Sequence, residues 1–218
     1  PKVGLVYTWV AYIDEQGNST GRVVRNQQEE DVWQELTKLN LVECGSVAMV
    51  RRQCFEECGV FDSDFVGNFL EDWDMWLRIA RTYPFKVVKE PLVYYRQIAS
   101  SASRNWEAMA KSYQLVIEKT FANATWQELP LRNRSYGTAN LVLAWKAIQS
   151  QTKDYKQASY FRHQALSHDL WLFFSKEYFR LSIAITIMRW LGPNGYQRFL
   201  SFLYALRRGT HKVFSVSQ

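Results

Sequence analysis

The stretch that most limits what this chain can fold into is Phe69-Leu70-Glu71-Asp72-Trp73-Asp74-Met75-Trp76-Leu77-Arg78-Ile79-Ala80-Arg81. Leu70, Trp73, Leu77 and Ala80 recur three or four residues apart, and Trp76 joins Leu77 on the next turn. That spacing predicts a helix with one buried stripe. Glu71, Asp72 and Asp74 cannot all lie on the stripe. Glu71 and Asp72 fall in the first turn, where the positive end of the helix dipole favours negative charge. A carboxylate held there beside large aromatics has the fixed position that a general base needs. An ordinary acidic helix start with solvated acids fits the same letters, and this stretch alone does not decide between the two.

With 218 residues the chain can bury a real core, as one domain or two small ones. Aromatic residues make up 16%, including nine Trp and twelve Tyr. That excess suits a carbohydrate-facing surface, and it suits a helical core packed with large rings still better. The net charge of +6 is biased toward the C-terminus. It permits an anionic membrane surface or a phosphate-bearing substrate. No nucleic-acid motif is present, so nucleic acid is not an expected partner. Cys44, Cys54 and Cys58 are too few and too odd in number for a disulfide scaffold and fit a reducing compartment. His163, His168 and His211 lie over a hundred residues from them, so no metal site is expected in this chain. The longest apolar run, Leu181 to Leu191, is broken by Arg189 and is too short to span a bilayer.

In chain order, Val3 to Ile13 is rich in β-branched and aromatic residues and predicts a buried strand. Asp14 to Asn18 is a turn around Gly17, and Ser19 to Arg25 returns as a second strand. Gln27 to Asn40 predicts a polar helix. Leu41 to Val50 suggests strand, tight point at Gly45-Ser46, strand; a glycine there fits close approach by a ligand or a simple bulge. A short helix, Arg51 to Cys58, stops at Gly59. After the acidic helix come two strands, Phe85 to Lys89 and Leu92 to Arg96, with a turn at Glu90-Pro91. A helix follows from Trp106 to about Phe121, then a polar connection from Ala122 to Ser135. Beyond it the pattern is helical: Gly137 to Gln149, Asp154 to Leu166, Leu172 to Leu191 up to Gly192-Pro193, and Tyr196 to Arg208. The alanines of the first two suggest a tetratricopeptide-like hairpin.

The ordered series over residues 3 to 104 resembles the second half of a family 2 glycosyltransferase of the GT-A fold. It comprises Val3-Gly4-Leu5-Val6-Tyr7 with Asp14 to Asn18, Gly45-Ser46 with Val50-Arg51-Arg52, and Phe55 to Asp62. It continues with Glu71 to Arg78 and Glu90-Pro91-Leu92-Val93-Tyr94-Tyr95-Arg96. The fold class expected is therefore α/β, a partial GT-A domain, followed by an all-α region, with residues 1–121 as the transferase half and 122–218 as a helical extension. The resemblance implies inverting transfer of a sugar from a nucleotide-sugar donor to a carbohydrate or lipid-linked acceptor hydroxyl. It implies Asp72 as the base, with Glu71 as its partner, and acceptor contacts from Gly45, Ser46 and Trp73. Asp74 is expected to be structural, at the helix surface or as a cap. Arg96 and Arg104 are candidate phosphate contacts, since an arginine fork suits phosphate oxygens. Many relatives place a histidine where Ile98 stands, and Ser100, Ser101 and Ser103 would make that loop a flexible lid.

A divalent cation, magnesium or manganese, is expected in the complete enzyme. Its aspartate motif would precede Pro1, so the chain looks cut from something longer and is expected to be inactive alone. The setting implied is bacterial and cytoplasmic, with the inner face of the membrane as one location; oligomeric state is open. The alternative is a non-catalytic module whose helices bind a protein partner. A third reading is peripheral membrane contact through Phe199, Leu200, Phe202, Leu203 and Leu206 with Arg198, Arg207 and Arg208, against ordinary helix packing.

Overall fold

The computed structural model describes residues 2–65, 69–98, 105–150 and 152–213, with side chains omitted at 197 and from 200 onward. Strand β1 (Leu5–Ile13) is the centre of a four-stranded mixed sheet. Strand β4 (Phe85–Arg96) runs parallel to it along its whole length, from Leu5 opposite Phe85 to Ile13 opposite Arg96. The other edge of β1 is shared by two short antiparallel strands. Strand β3 (Ala48–Val50) pairs with Leu5 to Tyr7, and β2 (Ser19–Val24) pairs with Val10 to Ile13. A parallel pair needs a crossover. Here the crossover carries helices α1 (Trp33–Lys38), α2 (Arg52–Cys58) and α3 (Glu71–Ala80).

The α3 stripe is buried as its periodicity predicts. Trp73, Met75, Trp76, Leu77 and Ile79 are all in the core with Leu5, Tyr7 and Val10 of the sheet. The Cys58-Gly59 stop holds too, with Gly59 at φ +82°. Four local expectations fail, each for a physical reason. Residues 27–31 are not helical, with Glu30 in the left-handed region (φ +65°), and the helix is confined to α1. Glu30 exchanges backbone hydrogen bonds with Phe85, and the Tyr7 hydroxyl and Trp9 indole donate to the carbonyls of Gln28 and Asn26. Residues 41–44 form a turn rather than a strand, leading into a 3-10 turn at Gly45–Val47. Strand β4 does not break at Glu90-Pro91. Pro91 sits opposite Trp9 where the register shifts, and a bulge tolerates a residue that has no N–H. Finally, the expected connection of 122–135 is already helical from Leu129, with Pro130 in the first turn, where a missing N–H costs nothing.

That helix, α5 (Leu129–Gln149), follows α4 (Trp106–Thr120) and packs against α6 (Tyr155–His168). Ala144, Ala147, Ala158 and Ala165 are fully buried, and Gly137 lies so close to Leu172 and Asp169 that a Cβ would sit about 3.0 Å from each. A 3-10 turn, Leu170–Phe174, exposed except at Leu172, leads into α7 (Lys176–Val213), which is broken at Gly192 by a φ of +68°. The α/β part and the helices share one hydrophobic cluster. Ser135 of α5 donates to the Thr37 carbonyl of α1 at 2.7 Å, and Arg81 bridges to Glu128 while covering the Trp33 ring at 4.0 Å. An α/β sheet followed by a helical region is thus the architecture observed.

Gly4 is the tightest joint of the sheet. Its amide donates to Pro84, its carbonyl accepts from Arg51, and an added Cβ would fall 2.4 Å from Tyr83 Cβ and 2.9 Å from Cys54 Sγ. Gly4→Ala therefore loses about 1–3 kcal/mol of stability through overpacking. Urea unfolding checks this, and an unchanged midpoint would refute it.

Candidate active site

Helix α3 runs back alongside the sheet, so its first turn returns toward the carboxyl ends of the parallel strands β1 and β4. Open α/β sheets place ligands at such ends. Two non-glycine residues in the left-handed region deliver the acidic groups there: Leu70 (φ +74°), just before Glu71-Asp72, and Glu43 (φ +70°), just before Cys44-Gly45. Each costs about 1–2 kcal/mol and persists because its surroundings hold it. The Phe69 amide donates to the buried Ser112 hydroxyl, and the Asp74 amide to the Leu70 carbonyl. On the other side, Asn26 donates to the Leu41 carbonyl at 2.6 Å, and the Val42 amide to Asn40 at 3.1 Å.

The Asp72 carboxylate accepts the Trp73 amide at 2.6 Å. Burial pushes its pKa up to about 6, and the exposed Glu71 adds to the rise; the Trp73 and Gly45 amides pull it back. Gly45 lies directly opposite, where a Cβ would be 3.9 Å from that of Asp72. Glu43 is the group that sequence reasoning missed. Its carboxylate accepts from the Tyr12 hydroxyl at 3.1 Å. Burial raises its pKa, with Tyr12, Arg22 and Asn26 opposing. Both carboxylates act on the same neighbours. Burial raises the Cys44 thiol, helped by the charges of Asp72 and Glu43, and burial raises the Tyr113 phenol, helped by the same two charges. Cys44 is therefore a protonated wall residue and not a thiolate nucleophile. Tyr12 is capped by the Arg22 guanidinium at 4.3 Å and flanked by the Tyr95 ring at 5.3 Å. The site combines two shielded carboxylates, a glycine turn and an aromatic wall at the strand ends. It can take a proton from a hydroxyl and hold other hydroxyls by polar contacts.

The remaining sequence candidates fall in different places. Gly45 and Ser46 are exposed beside Asp72, in the 3-10 turn. Trp73 does not face the site: it is 1% exposed, donates its indole N–H to the Leu36 carbonyl at 2.9 Å and meets Tyr113 edge-on. A ring so enclosed packs the core, which corrects its expected acceptor contact. Asp74 is buried, not at the surface. Its carboxylate pairs with Arg78 at 2.9 Å, and Arg78 also donates to the carbonyls of Cys58 and Val60, stapling α2 to α3. Arg96 donates to the Asp14 and Glu15 carbonyls, at 3.3 and 2.8 Å, and so closes the β1–β2 turn. Arg104 and the serines at 100, 101 and 103 lie outside the described residues. Among the described residues no group of three His, Cys, Asp or Glu is arranged to hold a metal ion.

The family model for glycosyltransferase like family 2 matches residues 1–163, which takes in the whole sheet, α3 and the α4–α5 pair and ends within α6. No curated protein and no solved structure gives a match. The match covers well over half of the chain, and the mixed sheet with its following helices is consistent with a GT-A-like domain: the chain belongs to the glycosyltransferase like family 2.

Proposed function

We propose that this chain supplies the acceptor side of an inverting glycosyltransferase, with Asp72 as the base that takes the proton from the attacking hydroxyl. The observation that supports this best is a carboxylate pushed up to about 6 at the helix start nearest the strand ends. A base is most useful when its pKa lies near the working pH. As the acceptor oxygen forms its bond to the anomeric carbon, the O–H proton passes to Asp72, and the nucleoside diphosphate leaves with the bonding electron pair. Glu71 is the exposed neighbour whose charge raises that basicity. Gly45 keeps the space above Asp72 open, and Ser46 offers a hydroxyl at its rim. Glu43, held by Tyr12, forms the polar wall that orients the acceptor. The donor is a nucleotide sugar, and the acceptor a carbohydrate or a lipid-linked saccharide. Three free cysteines suit a cytoplasmic setting.

The base and the acceptor wall do not themselves hold the donor diphosphate or its cation, and the 218-residue chain alone is expected not to turn over. Incubation of the purified chain with nucleotide sugars and manganese checks this; measurable transfer or hydrolysis would overturn it.

The raised Asp72 pKa also sets a stability signature. The native carboxyl holds its proton more tightly than the unfolded chain, so between about pH 4 and 6 the native state binds more protons. Stability therefore falls as pH rises through that window, and the penalty is complete above it. Asp72→Asn keeps an oxygen for the Trp73 amide and removes the charge. The variant is expected to be about 2 kcal/mol more stable than the parent at pH 7.5 and equal to it at pH 3.5. In a transferase with the donor side supplied, it should lose transfer by at least about a hundredfold. A stability gain that does not depend on pH, or activity that survives, would remove Asp72 from the role of base.

Glu43→Gln gives a different pattern. The amide still accepts from Tyr12 but loses the charge that grips acceptor hydroxyls. In the same transferase the acceptor KM should rise roughly tenfold while kcat changes little. A fall in kcat at constant KM would instead place Glu43 in the chemical step.

A further inference from the structure

Helix α7 is apolar on two opposite faces before its break at Gly192. Tyr178, Leu181, Ala184, Ile185 and Met188 are buried on one. Phe179, Ile183 and Trp190 are exposed on the other, at helical spacing with Thr186 between them. One apolar face is what a surface helix needs; the second has no partner within the described chain. At the start of the same helix, Leu170, Trp171, Phe173 and Phe174 are exposed as well. Trp171 is 76% accessible, Phe174 78% and Trp190 79%. The rings of Trp171, Phe173 and Phe174 touch one another, so the turn presents a cluster and not scattered side chains. A patch of this kind marks an interaction surface.

Charge identifies what it meets. Residues 170–218 contain seven of the 27 Lys and Arg but one of the 21 Asp and Glu. They carry the entire net charge of +6, and residues 1–169 balance to zero. At about 100° per residue, Lys176 and Arg180 fall on one flank of the exposed stripe and Arg189 on the other. Arg180 is paired with Glu177 at 3.1 Å, an exposed contact of little strength. A second copy of this face would bring two like-charged segments together, which is disfavoured. Tryptophan and phenylalanine flanked by arginine and lysine match the headgroup boundary of an anionic bilayer, where rings enter and the cations stay with the phosphates. No helix among the described residues is long and apolar enough to cross a membrane.

We infer that the Leu170–Phe174 turn and the Phe179–Trp190 stripe of α7 form a docking surface that lies on anionic lipid. The inference does not depend on the catalytic reading. It places the contact N-terminal to the 199–206 residues that the sequence pattern singled out.

The test is flotation of the full chain with phosphatidylglycerol–phosphatidylcholine vesicles and with phosphatidylcholine vesicles alone. Binding is expected to the anionic vesicles and to weaken as salt rises. The triple variant W171A/F174A/W190A should partition at least about tenfold more weakly. R180Q/R189Q should weaken binding roughly tenfold and flatten its salt dependence. All five side chains are exposed, so thermal unfolding should be unchanged, and transfer activity need not be measured. Equal flotation with both vesicle types, or no flotation, would overturn the inference. So would undiminished binding by the aromatic variant. A dimer in solution that the aromatic variant abolishes, without vesicle binding, would assign the face to self-association. Displacement from vesicles by a single-stranded oligonucleotide through the same residues would assign it to nucleic acid.

Discussion

Helix α3 is fixed on three sides, and the rest of the site takes its position from that. Its buried face carries Trp73 and Trp76, each worth about 3–5 kcal/mol against truncation to alanine. The Trp73 indole is tied to the Leu36 carbonyl, which sets rotation as well as depth. The Asp74–Arg78 pair sets translation, because Arg78 reaches both carbonyls that close the turn after α2. With Asp74 buried and Arg78 partly exposed, the pair adds little net stability but penalises any arrangement that leaves the Asp74 carboxylate unpaired. With rotation and translation set, the first turn can point only one way. Asp72 is consequently held, half-buried, beside Gly45.

Holding it there requires strain. Leu70 and Glu43 both take a left-handed backbone that side chains disfavour, and both stand immediately before a residue of the site. Glycine at either position would be easier to fold. At 43 it would remove the carboxylate, and at 70 it would loosen the entry to α3. Burial of the Asp72 charge acts in the same direction, since it destabilises the native state at neutral pH and raises basicity at once. Backbone strain at these two positions and charge burial thus meet at one corner of the molecule, while Glu30 and Lys153 carry a left-handed backbone elsewhere. The well-packed α3 interface and the long β1–β4 pairing offset them.

Much of this was legible in the residues and some was not, for reasons that separate cleanly. Helical periods in α2, α3 and α4 announced themselves because packing and period agree there. So did the glycine stop at Gly59. Residues 27–31 misled because a polar window carries little period of its own; its conformation is decided by Phe85, more than fifty residues on. Pro91 misled because a proline mid-strand is tolerated at a bulge, and bulges are set by the partner strand. Asp72 stood out in an ordered motif series. Glu43 did not, since nothing in Val42-Glu43-Cys44 marks a left-handed carboxylate. Its role depends on Tyr12, thirty-one residues earlier, and only the fold joins them. Trp73 shows the reverse error: an aromatic next to a candidate base invites a binding role, while its place on the buried stripe already sent it inward. For Arg96 the fold adds what its letters did not: a strand-end arginine has carbonyls of its own turn within reach.

The same chain of contacts couples the candidate site to the helical region. Trp73 of α3 bonds to α1 through Leu36, and the next residue of α1, Thr37, accepts from Ser135 of α5. Helix α5 then packs on both α6 and α7. The two polar links are buried and α5 meets α7 within the hydrophobic cluster, so tilting α7 against α3 would open that packing. A surface engaged by the outer face of α7 would therefore hold the mouth of the site at one orientation to that surface. For an acceptor free in solution such rigidity gives no advantage. For an acceptor whose anchor lies in a bilayer, it presents the hydroxyl to Asp72 from a fixed direction, and positioning of that kind lowers a barrier without any new contact at the reacting atoms.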